Sequence, residues 1–103
     1  MAGQLLAGLD GIQRKIDPGV LGYGPIDANI FAWSDEQRLT IQKLPSSMRE
    51  AMLALQDDHD FLLAGEVFSP ELIQQWINYK LEMEYYQVRN RPHPYEVSLY
   101  FDV

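Results

Sequence analysis

Two prolines one residue apart, Pro92 and Pro94, divide this chain more firmly than any other feature of it. Each fixes its own φ, removes an amide donor and pushes the preceding residue out of the helical region, so the segment beyond them is separate from the helix before it. The stretch from Arg91 to Val103 is therefore an arm. Its large apolar side chains fall on Tyr95, Val97, Leu99, Phe101 and Val103, with Glu96, Ser98, Tyr100 and Asp102 between them, which is the two-residue period of a strand. The same letters set Val97, Tyr100 and Phe101, with Tyr95 and Leu99 beside them, on one side of a short helix. Periodicity leaves both forms open. In either form so much aromatic and aliphatic surface at the end of a chain predicts a groove that covers it.

Ahead of the arm the pattern is helical, and its breaks coincide with capping residues. Leu5, Leu6, Leu9, Ile12 and Ile16 recur at helical spacing and Asp17-Pro18-Gly19 supplies a stop, predicting a helix over 3–16. Gly3, Gly8 and Gly11 weaken that helix by up to ~1 kcal/mol each against alanine, which implies close packing rather than free stability. Glycine and proline break any period over 17–33, a long loop. Its glycines follow no buried strand and precede no Gly-Lys-Ser, so they do not read as a phosphate loop. Ser34-Asp35-Glu36 caps a short helix over 34–42. Ser47 with Glu50 spells a capping box for a helix over 47–64, with Met48, Ala51, Met52 and Leu55 on one face. Ser69-Pro70-Glu71 opens the longest helix, over 69–88, whose stripe of Leu72, Ile73, Trp76, Ile77, Lys80, Leu81 and Met83 reads as core. The predicted fold class is mostly α: a small helical segment of about four helices with a long Gly/Pro loop and a C-terminal arm over 92–103.

A chain of 103 residues makes one domain at most. Hydrophobic residues at 47% place it outside the disordered class. A net charge of −7 with dispersed basic residues offers no footprint for nucleic acid or an anionic membrane. No cysteine occurs, so there is neither a disulfide nor a thiolate zinc site. No apolar run approaches the ~20 residues of a membrane span and no secretory signal opens the chain, so cytoplasm is the expected location.

Chemistry-bearing residues are sparse. Asp57, Asp58, His59 and Asp60 are metal-ligating types, but with no second cluster they read as a solvated helix rim. His93, locked between prolines, reads as a packing and hydrogen-bonding residue in the arm rather than a base. No serine sits near a histidine on a recognisable elbow. The sequence predicts no catalytic, cofactor-binding or metal-binding residue here.

Four stretches carry a resemblance. Arg91-Pro92-His93-Pro94-Tyr95-Glu96 with Leu99-Tyr100-Phe101-Asp102-Val103 is similar to the closing pattern of bacterial type I glutamine synthetases. Leu6-Ala7-Gly8-Leu9-Asp10-Gly11-Ile12 through Lys15-Ile16-Asp17-Pro18-Gly19 resembles the segment after that family's last active-site strand. Asp58-His59-Asp60-Phe61-Leu62 and Gly65-Glu66-Val67-Phe68-Ser69 also look like the family.

The resemblance implies the last part of a far longer enzyme. Such an enzyme makes glutamine from glutamate, ammonia and ATP through a γ-glutamyl phosphate, with two divalent metals, Mg or Mn, held by carboxylates upstream of the matching segment. None of those ligands carries over onto a residue here, so ATP and metal are implied for the full-length family only. The family's dodecamer implies other glutamine synthetase subunits as partners, reached by a helical arm made of Pro92, His93, Pro94, Tyr95, Val97, Leu99, Tyr100 and Phe101. Self-association of this chain is expected from the same surface. Adenylylated members carry a regulatory tyrosine in a pattern like Asn-Leu-Tyr. The matching residues are Asn29-Ile30-Phe31, so no adenylylation is expected at Phe31, with Tyr23 as the nearby phenol. Composition alone also allows a free-standing acidic helical module that binds a partner through its aromatic arm.

Overall fold

The computed structural model describes residues 1–101; Asp102 and Val103, the end of the expected arm, lie outside them. The described residues form helices, turns and loops, with no strand among them. They gather into two compact units, 1–44 and 45 onward.

In the first unit, helix α1 spans Ala2–Gln13 and buries only Leu6. It ends three residues earlier than the expected 3–16. The Ile16 amide donates to the Gly11 carbonyl at 2.9 Å and the Lys15 amide to that of Ile12 at 3.1 Å, while Lys15 itself turns left-handed at φ 52°. This is the bond pair that closes a helix around a residue usually glycine, and a lysine holds the place here. The stop at Asp17 is thus pre-empted, and Asp17 instead accepts from the Gly19 amide at 2.8 Å. Within the long loop a 3₁₀ turn forms over Ile30–Ala32, begun by the Asn29 side chain, which accepts from the Phe31 amide. Helix α2, Asp35–Leu39, is shorter than the expected 34–42; the Ser34 hydroxyl accepts from the Gln37 amide and the Gln37 side chain accepts from the Ser34 amide in return.

The second unit begins with α3, Met48–Asp57, which packs against α4, Pro70–Tyr79, and against the turn of π-helix beyond it over Lys80–Tyr85. The box predicted at Ser47 is half made. Its hydroxyl accepts from the Glu50 amide at 3.2 Å, but the Glu50 carboxylate reaches one residue further back, accepting from the Ser46 amide and hydroxyl at 2.8 Å. The Ser46 hydroxyl gives that carboxylate a second donor, which the Ser47 amide alone would not.

The helix expected over 47–64 breaks after Asp57. The Leu55 carbonyl, which the His59 amide would reach in a continuing helix, accepts instead from the His59 ring at 2.9 Å. A separate 3₁₀ segment covers Asp60–Glu66 and is ended by Gly65 and Glu66, both left-handed at φ 66° and 57°.

Ser69 caps α4 by accepting from the Leu72 amide at 3.1 Å, with Pro70 in the first turn. The expected long helix is realised as α4, the π turn, and α5 over Tyr86–Arg89. Its stripe is not one core face: Ile73 and Ile77 are buried, whereas Leu72, Trp76 and Met83 stay half exposed or more. With Leu62, Ile73 and Ile77 are the buried side chains among the described residues of this unit. Helix α6 then covers Pro94–Tyr100.

Candidate functional site

Of the two forms left open by periodicity, the arm takes the helical one. Its start is built by the residues that make it look rigid. His93 is extended at φ −80° and ψ 142°, and Pro94 supplies a first helical residue whose missing amide costs nothing there. The Tyr95 amide donates to His93 Nδ1 at 3.1 Å, and the Glu96 carboxylate accepts from the His93 amide at 3.0 Å. An amide can only donate, so Nδ1 carries no proton in this arrangement and the ring hydrogen is on Nε2. His93 is here a helix cap.

What the helix presents is apolar and open. Tyr95, Val97, Leu99, Tyr100 and Phe101 are 65%, 50%, 51%, 69% and 81% exposed, so the second unit to which the arm belongs does not cover them. Pro92 and Pro94 set the departure of this helix from α5, which ends at Arg89 with Asn90 and Arg91 in the turn. A short, capped, amphipathic helix with an uncovered apolar side is the geometry of a helix that lies in a groove of another polypeptide.

The other singled-out residues stand apart from the arm. Among the described residues no group of three or more His, Asp or Glu side chains comes together to hold a metal ion. His59 donates its ring N–H to Leu55 and borders a shallow groove of about 480 Å³ with Pro70, Glu71, Ile73, Gln74 and Gln75. Phe31 is exposed, its carbonyl held by Arg38 Nη2 at 2.8 Å, beside a small apolar pocket of about 200 Å³ with Ile30 and Ile41. The Tyr23 hydroxyl donates to Gln42 Oε1 at 2.6 Å.

Sequence reasoning missed the outward row of α4 and the π turn. It assigns Leu72, Trp76 and Met83 to the core and Tyr79 to no face, yet all four are about half exposed or more. The signal was present, since a stripe holding both 72 and 73, and both 76 and 77, is too wide for one packed face.

The sequence profile of the glutamine synthetase catalytic domain matches residues 1–100. The chain belongs to the glutamine synthetase catalytic-domain family. It is 46% identical over 102 residues to a glutamine synthetase of a Nostoc species, a match covering 99% of this chain and 21% of that protein. The glutamine synthetase of Streptomyces viridochromogenes is 44% identical over 99 residues, 96% of this chain and 20% of its own length. That of Mycolicibacterium smegmatis is 40% identical over 102 residues, again 20% of its length. The chain thus spans about a fifth of the length of the glutamine synthetases it matches. Within this member of the family, the arm motif beginning at Arg91 straddles the turn from α5 to α6.

Proposed function

We propose that this chain is the C-terminal helical part of a glutamine synthetase catalytic domain. It completes the subunit fold and ties subunits together through its arm, and it is not catalytic by itself. The observation that carries this reading is α6: capped at His93, set off by two prolines, and uncovered along Tyr95, Val97, Leu99, Tyr100 and Phe101. Each such anchor contributes roughly 1.5–3 kcal/mol when fully buried, so seating several of them in a neighbouring subunit holds two chains together.

The full-length enzyme of this reading joins ammonia to glutamate at the expense of ATP, with Mg²⁺ or Mn²⁺, in the cytoplasm and as a dodecamer. The residues described here do not fit such a metal, because their carboxylates and histidines do not converge. Among the described residues no helix is long and apolar enough to cross a membrane.

The test measures sedimentation and activity of the intact chain beside Leu99→Asp. Self-association that Leu99→Asp weakens, with no glutamine or γ-glutamyl hydroxamate formed in Mg²⁺ or Mn²⁺, is the expected result. A mass untouched by the substitution, or turnover by purified chain, defeats the reading.

A further inference from the structure

Between Glu71 and Lys80 the long helix carries no charge: the run from Leu72 to Tyr79 reads Leu-Ile-Gln-Gln-Trp-Ile-Asn-Tyr. A helix with one face in water ordinarily carries charged residues there, and here only Gln74, Gln75 and Asn78 interrupt the apolar ones. Within this chain one side of α4 is covered. Ile73 and Ile77 are 4% and 2% exposed, whereas Leu72, Trp76, Tyr79 and Met83, about a quarter-turn round the helix, are 49%, 50%, 53% and 61% exposed. The two rows adjoin, so the open row continues a core face.

Polar groups beside the row are held within the helix itself. Gln74 Nε2 donates to Asn78 Oδ1 at 3.0 Å. The Lys80 ammonium, the first charge after the uncharged run, lies 4.8 Å from the centre of the Trp76 ring and donates to both Glu84 oxygens, at 2.7 and 2.8 Å. An amide paired with an amide and a charge paired with its counter-charge are covered at smaller cost than free ones. Trp76 is thereby ordered in advance, and an anchor already ordered loses little freedom when it is covered.

We propose, on the reading of this chain as part of a glutamine synthetase subunit, that the open row of α4 is the seat of the rest of that same subunit. Helix α4 becomes an internal helix of the finished catalytic domain, covered by an apolar, uncharged face of the polypeptide outside this chain, while α6 is left to the neighbouring subunit. Three observations select this occupant. The row is continuous with Ile73 and Ile77, which the domain already buries. The family profile matches residues 1–100, so α4 lies inside the matched domain, yet the chain is about a fifth of a relative's length and about four-fifths of a subunit is there to cover it. Finally, Leu6, Leu62, Ile73 and Ile77 are the buried hydrophobic side chains among the described residues, fewer than a finished domain of this length encloses. A neighbour docks on a subunit whose interior is complete; this interior is not.

The experiment puts this chain into a full-length relative in exchange for the matching fifth, with the photo-cross-linker p-benzoylphenylalanine in place of Tyr79 or of Tyr100. After irradiation, denaturing electrophoresis separates the outcomes by mass. The expected product from Tyr79 has the mass of one subunit, its link mapped by mass spectrometry to a peptide outside this chain; the arm reading expects double mass from Tyr100. Hydroxyl-radical oxidation, which follows exposed area, should slow roughly ten-fold at Trp76 and Met83 in the whole enzyme against the isolated chain, as they pass from half exposed to as buried as Ile73. Where the cross-linker at Tyr79 prevents folding, photo-methionine at Met83, close to methionine in size, gives the same two masses. A double-mass product from Tyr79 or Met83 assigns the row to a neighbouring subunit and overturns the proposal. So does oxidation of Trp76 and Met83 that is as fast in the whole enzyme as in the isolated chain. A single-subunit product from Tyr100 defeats the arm reading and leaves the seat of α4 standing.

Discussion

Lys15 and Glu66 hold left-handed backbone positions that glycine occupies without strain. The ends they form are needed, since one closes α1 and the other turns the chain toward α4. Replacing either by glycine should relieve the Cβ clash by more than the added chain entropy costs, raising stability by about 0.5–1 kcal/mol, as chemical denaturation would report. Glu50 acts through charge. The Ser46 amide and then its hydroxyl hold the Glu50 carboxyl below its ordinary value of 4.5. A depressed folded value means that the interaction supports α3 above pH 4.5 and is lost as pH falls through the lower folded value. Glu50→Gln should therefore lower the helical signal near neutrality and match the parent in strong acid; an equal deficit at both pH values contradicts the assignment. At Phe31 the reading is simpler, for a phenyl ring offers no oxygen to esterify. Co-expression with the family's adenylylating enzyme should add no AMP there by intact mass, and AMP mapped to Tyr23 would mean that the loop is aligned wrongly.

Helix starts were more legible than helix ends, although Gly65 closes the turn after α3 as glycine is expected to. Ser34, Ser47 and Ser69 cap the helices they were expected to cap, because an oxygen one residue ahead of an amphipathic run has few other things to do. Other endings are made by residues that carry no stop signal: a lysine closes α1, a histidine ring replaces a backbone amide after α3, and the π turn has no letter of its own. The arm was legible as an arm and ambiguous as an element, since alternation and a five-residue helical face share the same letters. Its cap decides the matter, so His93→Ala should cost α6 about 1 kcal/mol, with His93→Asn restoring most of it, measured as helicity. The π turn supplies a second element-scale prediction. Such a turn absorbs one residue beyond the α-helical repeat, so deleting the exposed Glu82 should convert it to plain α-helix and leave the faces on either side where they were. Helicity that falls after the deletion would show the extra residue to be required.

Across the whole molecule, what is scarce is interior. Leu6, Leu62, Ile73 and Ile77 are the buried hydrophobic side chains among the described residues. The chain exposes 9193 Å², whereas two separate compact bodies of these lengths would expose roughly 7,000 Å². Ile77→Ala should consequently be severe, removing about 2–5 kcal/mol by loss of transfer energy and the cavity left behind. The same scarcity sets how the chain responds to heat. The heat-capacity change of unfolding scales with the apolar area newly wetted, and little remains to be wetted here. Melting of the isolated chain should be broad and shallow in calorimetry, and the sharpness of a cooperative transition would have to come from whatever polypeptide covers α1, the outward face of α4 and the arm.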